Sequence, residues 1–324
     1  MLKQRECRPF SRRDRSRLLK KERDERGVAS TVGTIMALLV FLTFLALFTN
    51  TYVPIWMLDN ERGHMAEVSD QFSDLKGKID NMVVMASTTG STTLNMYAPF
   101  TLGSNGIPIF ATATAGQLTY VPFSQQNASV EVKFVYGLDA LHPNTAVDSY
   151  GGGMVQLYAP NRYYVQQWMA YENGAILVKQ IDGQLINAIP SLDVSKSGSY
   201  SNVSFTQFNF IGKNTTVTGT GATGLNIEMI YLDQESYMNY TATSQTQTPL
   251  LFTMTFHTQY GLAWYSYLDK MLRSEGLNNQ TEGSTHDYKL IYGNPSHTVV
   301  TLSFLKVYKF NYNVATLNLA VPNA

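Results

Sequence analysis

The chain has 324 residues, 24 Lys+Arg against 24 Asp+Glu, and a single cysteine, Cys7. One cysteine precludes an internal disulfide, so the fold rests on its hydrophobic core, which 20 Tyr, 16 Phe and 3 Trp can supply. The neutral balance argues against an extreme halophile, and it hides a polarity: residues 1–27 hold 11 Lys+Arg against 5 Asp+Glu, and the rest hold 13 against 19.

The first 27 residues form a basic block of Lys3, Arg5, Arg8, Arg12, Arg13, Arg15, Arg17, Lys20, Lys21, Arg23 and Arg26. Acidic residues interleave with it and an apolar stretch follows directly, which favours a topological role over nucleic-acid binding. Val28–Leu58 is 31 residues without Asp, Glu, Lys, Arg or His, densest in apolar residues from Val32 to Phe48. A helix of that length covers roughly 46 Å, more than the ~30 Å hydrocarbon core of a bilayer. In lipid it must be helical to satisfy its own backbone. The positive-inside rule then puts residues 1–27 in the cytoplasm and residues 60–324 outside, as in a single-pass cell-surface protein, and anionic lipid would attract the basic block further. Tyr52 and Trp56 fall where an aromatic belt belongs, and Pro54 predicts a kink.

The junction discriminates among three N-terminal readings. A cleavable secretory signal has a shorter apolar region and a small-residue site after it, and Phe48-Thr49-Asn50-Thr51 offers none. An uncleaved signal anchor fits. So does a leader cut before the helix. Arg26-Gly27-Val28-Ala29-Ser30-Thr31-Val32-Gly33-Thr34 resembles the N-terminal motif of archaeal type IV pilins and archaellin-like proteins, which carry a class III signal peptide. That resemblance implies cleavage between Gly27 and Val28 by a prepilin-type peptidase, with Arg26 as the basic flank and the helix retained. It covers about 35 residues. Val32 stands at the fifth mature position, where bacterial pilins carry glutamate, and the 27-residue leader is long for archaeal members. Ala29, Gly33 and Ala37 form a small-residue ladder suited to close helix–helix approach, and the resemblance implies pilin-like subunits or self as its partner. Such residues are also common in membrane helices.

Beyond the stretch, Met65, Val68, Phe72, Leu75, Ile79 and Met82 recur at spacings of three and four, with Asp70, Asp74, Lys76, Lys78 and Asp80 on other faces. This predicts an amphipathic stalk helix over 59–87 that packs on its own domain, since fewer than three heptads and Gly77 weaken a free coiled coil.

From about Thr88 the pattern turns to strands. Residues 130–135 alternate, and runs at 154–159, 175–180, 203–210, 225–232, 251–256, 298–304 and 306–321 have strand composition. Gly/Asn/Ser/Thr clusters at 103–106, 151–153 and 218–224 are read as the breaks between them. Asn173-Gly174 predicts a two-residue hairpin joining WMAYE to AILVKQ. The segment 161–180, NRYYVQQWMAYENGAILVKQ, also resembles a Tyr-x-x-Gln…Tyr-Glu-x-Gly-Ala pattern of archaeal pilin-like surface proteins. A second helix is expected near 259–277, with Leu262, Tyr265, Leu268, Leu272 and Leu277 on one side and Gly276 as its stop. The fold class is thus α+β: a long N-terminal transmembrane and amphipathic helix, then a β-rich sandwich-like extracytoplasmic domain over 88–324.

Chemistry is sparse. His64, His142, His257, His286 and His297 form no short metal-ligand spacing, and no calcium loop, nucleophile elbow or phosphate-binding loop is present. The reading is therefore not an enzyme, with no cofactor, no metal and no nucleic acid. Sequons at Asn127, Asn202, Asn214, Asn239 and Asn279 are candidate N-glycosylation positions, all on the outer side. Exposed tyrosines would suit a glycan or partner surface. The two functional readings are a subunit of an archaeal surface filament, a minor one given the 36.2 kDa mass, and an uncleaved membrane-anchored protein whose β-rich domain binds a ligand or partner.

Overall fold

A computed structural model describes residues 12–123, 128–136, 145–238, 250–280, 286–293 and 298–322, with side chains from Ser30 onward except those of Tyr136, Thr145, Leu250 and Leu251. The chain divides into two compact units, Met1–Trp56 and Met57–Ala324. Helix α1 (Arg12–Thr89) carries the first unit and opens the second, with Pro54 inside it.

From Val32 to Leu47 the helix is apolar and largely uncovered. Ile35, Met36, Leu39, Val40, Phe41, Phe44 and Leu47 are all more than half exposed. Its few hydroxyls turn inward: Thr34, Thr43 and Thr49 donate to the carbonyls of Thr31, Val40 and Leu45 at 2.8, 2.8 and 2.9 Å. Their polarity is thereby satisfied within the helix itself. Phe48, Tyr52 and Trp56 form a ring ladder one turn apart, with centroids 5.6 and 6.3 Å from Tyr52.

The second unit starts with the amphipathic half of α1. Met65, Val68, Phe72, Leu75, Ile79 and Met82 are all buried, and Ala86 extends the stripe. The helix stops at Thr89 because Gly90 adopts φ 68°, and its N–H caps the Ala86 carbonyl at 2.9 Å.

Among the described residues fourteen strands follow: β1 (Asn95–Thr101), β2 (Gly116–Pro122), β3 (Ala128–Tyr136), β4 (Thr145–Ala159), β5 (Gln167–Glu172), β6 (Ala175–Gln180), β7 (Gly183–Ala188), β8 (Leu192–Ser197), β9 (Tyr200–Ile211), β10 (Thr215–Gly219), β11 (Ala222–Met238), β12 (Leu250–Thr258), β13 (Tyr288–Tyr292) and β14 (Val299–Ala320). Helix α2 (Gly261–Ser274) lies between β12 and β13. The strands form one large sheet in the order β1-β11-β14-β12-β3-β4-β5-β6-β7, with β2, β8, β9, β10 and β13 off that path. Every pairing is antiparallel except β9 with β14. β14 is the spine. Its first half pairs with β12 and β13, and its second half with β9 and β11.

Two predicted breaks prove continuous. The runs at 298–304 and 306–321 are one strand, because the pairing slips by a residue at Val307–Lys309 instead of turning. The glycines at 151–153 lie inside β4, not in a loop. Up to Gly152, β4 pairs with β3; from Met154 it pairs with β2 and β5. Gly152 and Gly153 make the change of partner with φ of 117° and 118°, a region that side chains rarely enter. A Cβ on Gly153 would stand 2.6 Å from Cβ of Phe210. Gly153→Ala is accordingly expected to cost about 2–4 kcal/mol in a denaturation titration of the full chain. Gly183→Ala, with nothing within 4 Å of the added carbon, should leave the midpoint in place.

Two cores result. One gathers Trp264, Leu268 and Leu272 of α2 with Val130, Val132, Phe134, Met254, Phe256, Val300 and Leu302. The other gathers the α1 stripe with Phe100, Leu157, Phe208, Phe210, Leu225 and Leu317. The β5–β6 hairpin separates them through strand alternation: Met169, Tyr171, Ile176 and Val178 face the α1 core, while Ala170, Ala175 and Leu177 face the other. Phe72 meets Phe100 edge-on at 5.1 Å, and each such buried side chain contributes roughly 1.5–3 kcal/mol.

Candidate functional site

The second half of α1 is stitched to the β domain by polar contacts that flank its apolar stripe. Glu61 is wholly buried one turn before Met65, on the same face. Its carboxylate accepts the backbone N–H of Arg162 at 3.0 and 3.1 Å, and those of Tyr163 and Tyr164 at 2.7 Å each. The Thr114 hydroxyl adds a bond of 2.9 Å. Burial pushes the Glu61 carboxyl up, the three N–H groups and Thr114 push it down, and the net shift is downward. One side chain thus clamps the segments 112–114 and 162–164 onto the helix. Further along, the His64 ring Nε2 lies 3.0 Å from the Thr101 carbonyl, Gln71 exchanges two bonds of 3.0 Å with Thr101, and Lys78 donates to the Tyr97 carbonyl at 2.8 Å. Edge strand β1 is held this way.

A second buried carboxyl closes the far end of the β5–β6 hairpin. Glu172 accepts the Thr258 hydroxyl at 2.8 Å and the Trp264 indole N–H at 3.2 Å. Burial pushes it up to about 8, against the two donors. Trp264 stacks on Phe256 at 4.3 Å, so the carboxyl joins α2 to β12 and β5. The Asn173-Gly174 turn beside it has φ of 48° and 80°, and Glu172 pairs with Ala175 across it.

The sequence-derived positions fall as follows. Arg26, Gly27 and Val28 have helical backbone, and their side chains and that of Ala29 lie outside those described. Gly33 has open space where a Cβ would stand, and Ala37 lies on the uncovered apolar helix. The six stalk residues come together in one core. Among the sequons, Asn127 and Asn239 lie outside the described residues, Asn214 is exposed, Asn202 is half-buried, and Asn279 is buried. Asn279 is therefore not presented for glycan attachment in the folded domain. The α2 face differs from expectation: Leu268 and Leu272 are buried, but Leu262 is exposed and Ala263 and Trp264 take the inner side. Among the described residues no three His, Cys, Asp or Glu side chains cluster to hold a metal.

Glu61 and Glu172 are the buried carboxyls among the described residues, and neither is given a role by the sequence alone. Glu61 continues the stripe backwards by four from Met65, so a carboxylate at a stripe position was the available signal. Glu172 is the glutamate of the Tyr-Glu-x-Gly-Ala segment, but nothing local marks it as buried. Compared with known family models, curated proteins and solved structures, the chain has no match.

Proposed function

We propose that this chain is a type IV pilin-like single-span membrane protein of an archaeal cell surface. In this reading residues 28–58 cross the bilayer, the basic N-terminus is cytoplasmic, and the β domain is a sandwich-like extracytoplasmic head. Its role is structural or adhesive, as a minor filament subunit, rather than catalytic. Lipid, a prepilin-type peptidase and other pilin-like subunits are its partners, and the head's exposed tyrosines are available to a glycan or surface ligand.

The observation that carries this reading is the uncovered apolar helix. Its best 18-residue window has a mean hydropathy of 2.4, and none of that window is buried by the chain itself. In water so much exposed apolar surface would drive association, and a bilayer removes that penalty. The α1 stripe supports the pilin-like architecture, because one helix serves as both anchor and packing element of the head.

A specific observation favours the alternative, an uncleaved anchor whose head binds a partner. The backbone is helical from Arg12 through Arg26-Gly27-Val28, so a peptidase would first have to unwind that junction. Intact mass and N-terminal sequence of the protein extracted from membranes of its native host decide between the two. The expected result is a start at Val28. An intact N-terminus would leave the anchored protein and remove the filament role.

A further inference from the structure

The Glu61 clamp fixes more than the helix. It holds the base of a tight hairpin-like loop between β1 and β2. There Ser104 N–H donates to Thr114 at 3.1 Å, and Ala111 N–H to Ile107 at 3.0 Å. Asn60 donates to the Asn105 carbonyl at 3.2 Å, and the Arg162 guanidinium to the Thr112 hydroxyl at 3.1 Å. The tip is Pro108-Ile109-Phe110. Ile109 is fully exposed and sits at φ 72°, a left-handed conformation that a β-branched residue seldom adopts. A strained, wholly exposed isoleucine adds nothing to the domain's own core, which points to an external apolar phase.

The same end of the β domain carries more of this chemistry. Tyr163 and Val165, on the second segment held by Glu61, are more than a third exposed. The strand register Ala159–Gln167–Gln180–Gly183 brings the turn after β6 to that end, and there Ile181 is 74% exposed. This is also where the chain leaves its uncharged stretch. Leu58 is the last residue of the stretch and Asp59 the first charge; Asn60, which holds the loop, follows directly. At 1.5 Å per residue Asn60 stands only ~3 Å along the axis beyond Leu58. An aromatic, a cation and exposed aliphatics on the segments held by Asn60 and Glu61 have the chemistry of a headgroup-layer contact, where Tyr and Arg place a polar tip in water and an apolar stem in the acyl boundary.

We propose that the Pro108-Ile109-Phe110 tip is a lipid-docking loop. It seats in the outer headgroup–acyl boundary of the same bilayer, with Arg162 available to a lipid phosphate. The proposal rests on the single-span reading, and the experiment separates the two.

The full chain with Cys7→Ser would carry one spin label at a time, at Ile109→Cys, Val40→Cys or Lys213→Cys. It would be reconstituted in bilayers of phosphatidylcholine and phosphatidylglycerol. Collision of each label with oxygen and with a water-soluble nickel chelate reports depth. Expected is a nickel-to-oxygen collision ratio several-fold lower at Ile109 than at Lys213, and lower still at Val40. A label at Ile109 as open to nickel as that at Lys213, with Val40 protected, overturns the loop and leaves the anchor standing. Dipolar broadening between Ile109 labels would replace lipid by a second copy and also overturn it. Nickel access at Val40 removes the span and the docking loop together.

Discussion

Folding of the full chain is expected to weaken by about 3–5 kcal/mol as the pH rises from mildly acidic to about 8.5, and replacing Glu172 by glutamine should abolish most of that slope. Glu172 is fully buried between the β5–β6 turn, β12 and α2, and burial pushes its carboxyl up to about 8. The ordinary value is 4.5. Between those two values the folded state holds a proton that the unfolded state releases. The group's contribution is complete below about 4.5 and is lost as pH climbs through about 8. Tyr260, whose hydroxyl is also pushed up by burial and by Glu172, gives the carboxylate no cation. Glutamine keeps an acceptor for the Trp264 indole N–H without the charge. Urea denaturation of the full chain in mild detergent, at about pH 5 and pH 8.5, measures this. Equal slopes in wild type and Glu172→Gln would place the pH dependence elsewhere.

Glu61→Ala is expected to destabilise the β domain by about 3–5 kcal/mol, with the damage concentrated in the segments 104–114 and 161–165. Alanine leaves three backbone N–H groups and the Thr114 hydroxyl without their acceptor, and the first turn of the packed helix loses its hold on both loops. Glu61→Gln should fall between, since an amide offers one acceptor oxygen in place of two. The pH sign is opposite to that of Glu172. With the folded value depressed, the Glu61 contribution is present above about 4.5 and disappears as pH falls through the lower folded value. Together the two carboxyls set maximal stability at mildly acidic pH. Limited proteolysis with mass mapping would show early cuts at these two loops in Glu61→Ala. A cleavage pattern and midpoint matching wild type would mean that the clamp is energetically silent.

What was readable in advance was local. The Met65–Met82 stripe is a 3.6-residue periodicity that any helix expresses, and all six residues are buried. The alternation at 130–135 and the Asn-Gly hairpin are governed by neighbours in sequence, and both match the observed strand and turn. Strand limits were harder. β1, β2, β7, β8, β10 and β13 are each 5–7 residues long, so few repeats of any alternation are there to read. The glycine run in β4 looked like a break because isolated glycines lower strand propensity; here they let one strand pass between two sets of partners.

The sequence by itself determined the apolar helix, its basic flank, the amphipathic stripe and the β-rich character of the rest, because composition and short-range periodicity encode each of them. Only the tertiary structure decided which face of α2 is buried, where β4 changes partners, and that Glu61 and Glu172 are buried carboxyls with opposite pH behaviour. Their partners lie 53 to 103 residues away for Glu61 and 86 to 92 for Glu172. A carboxyl's pKa follows from the donors and the dielectric that such distant segments bring to it, and no spacing within the chain records that.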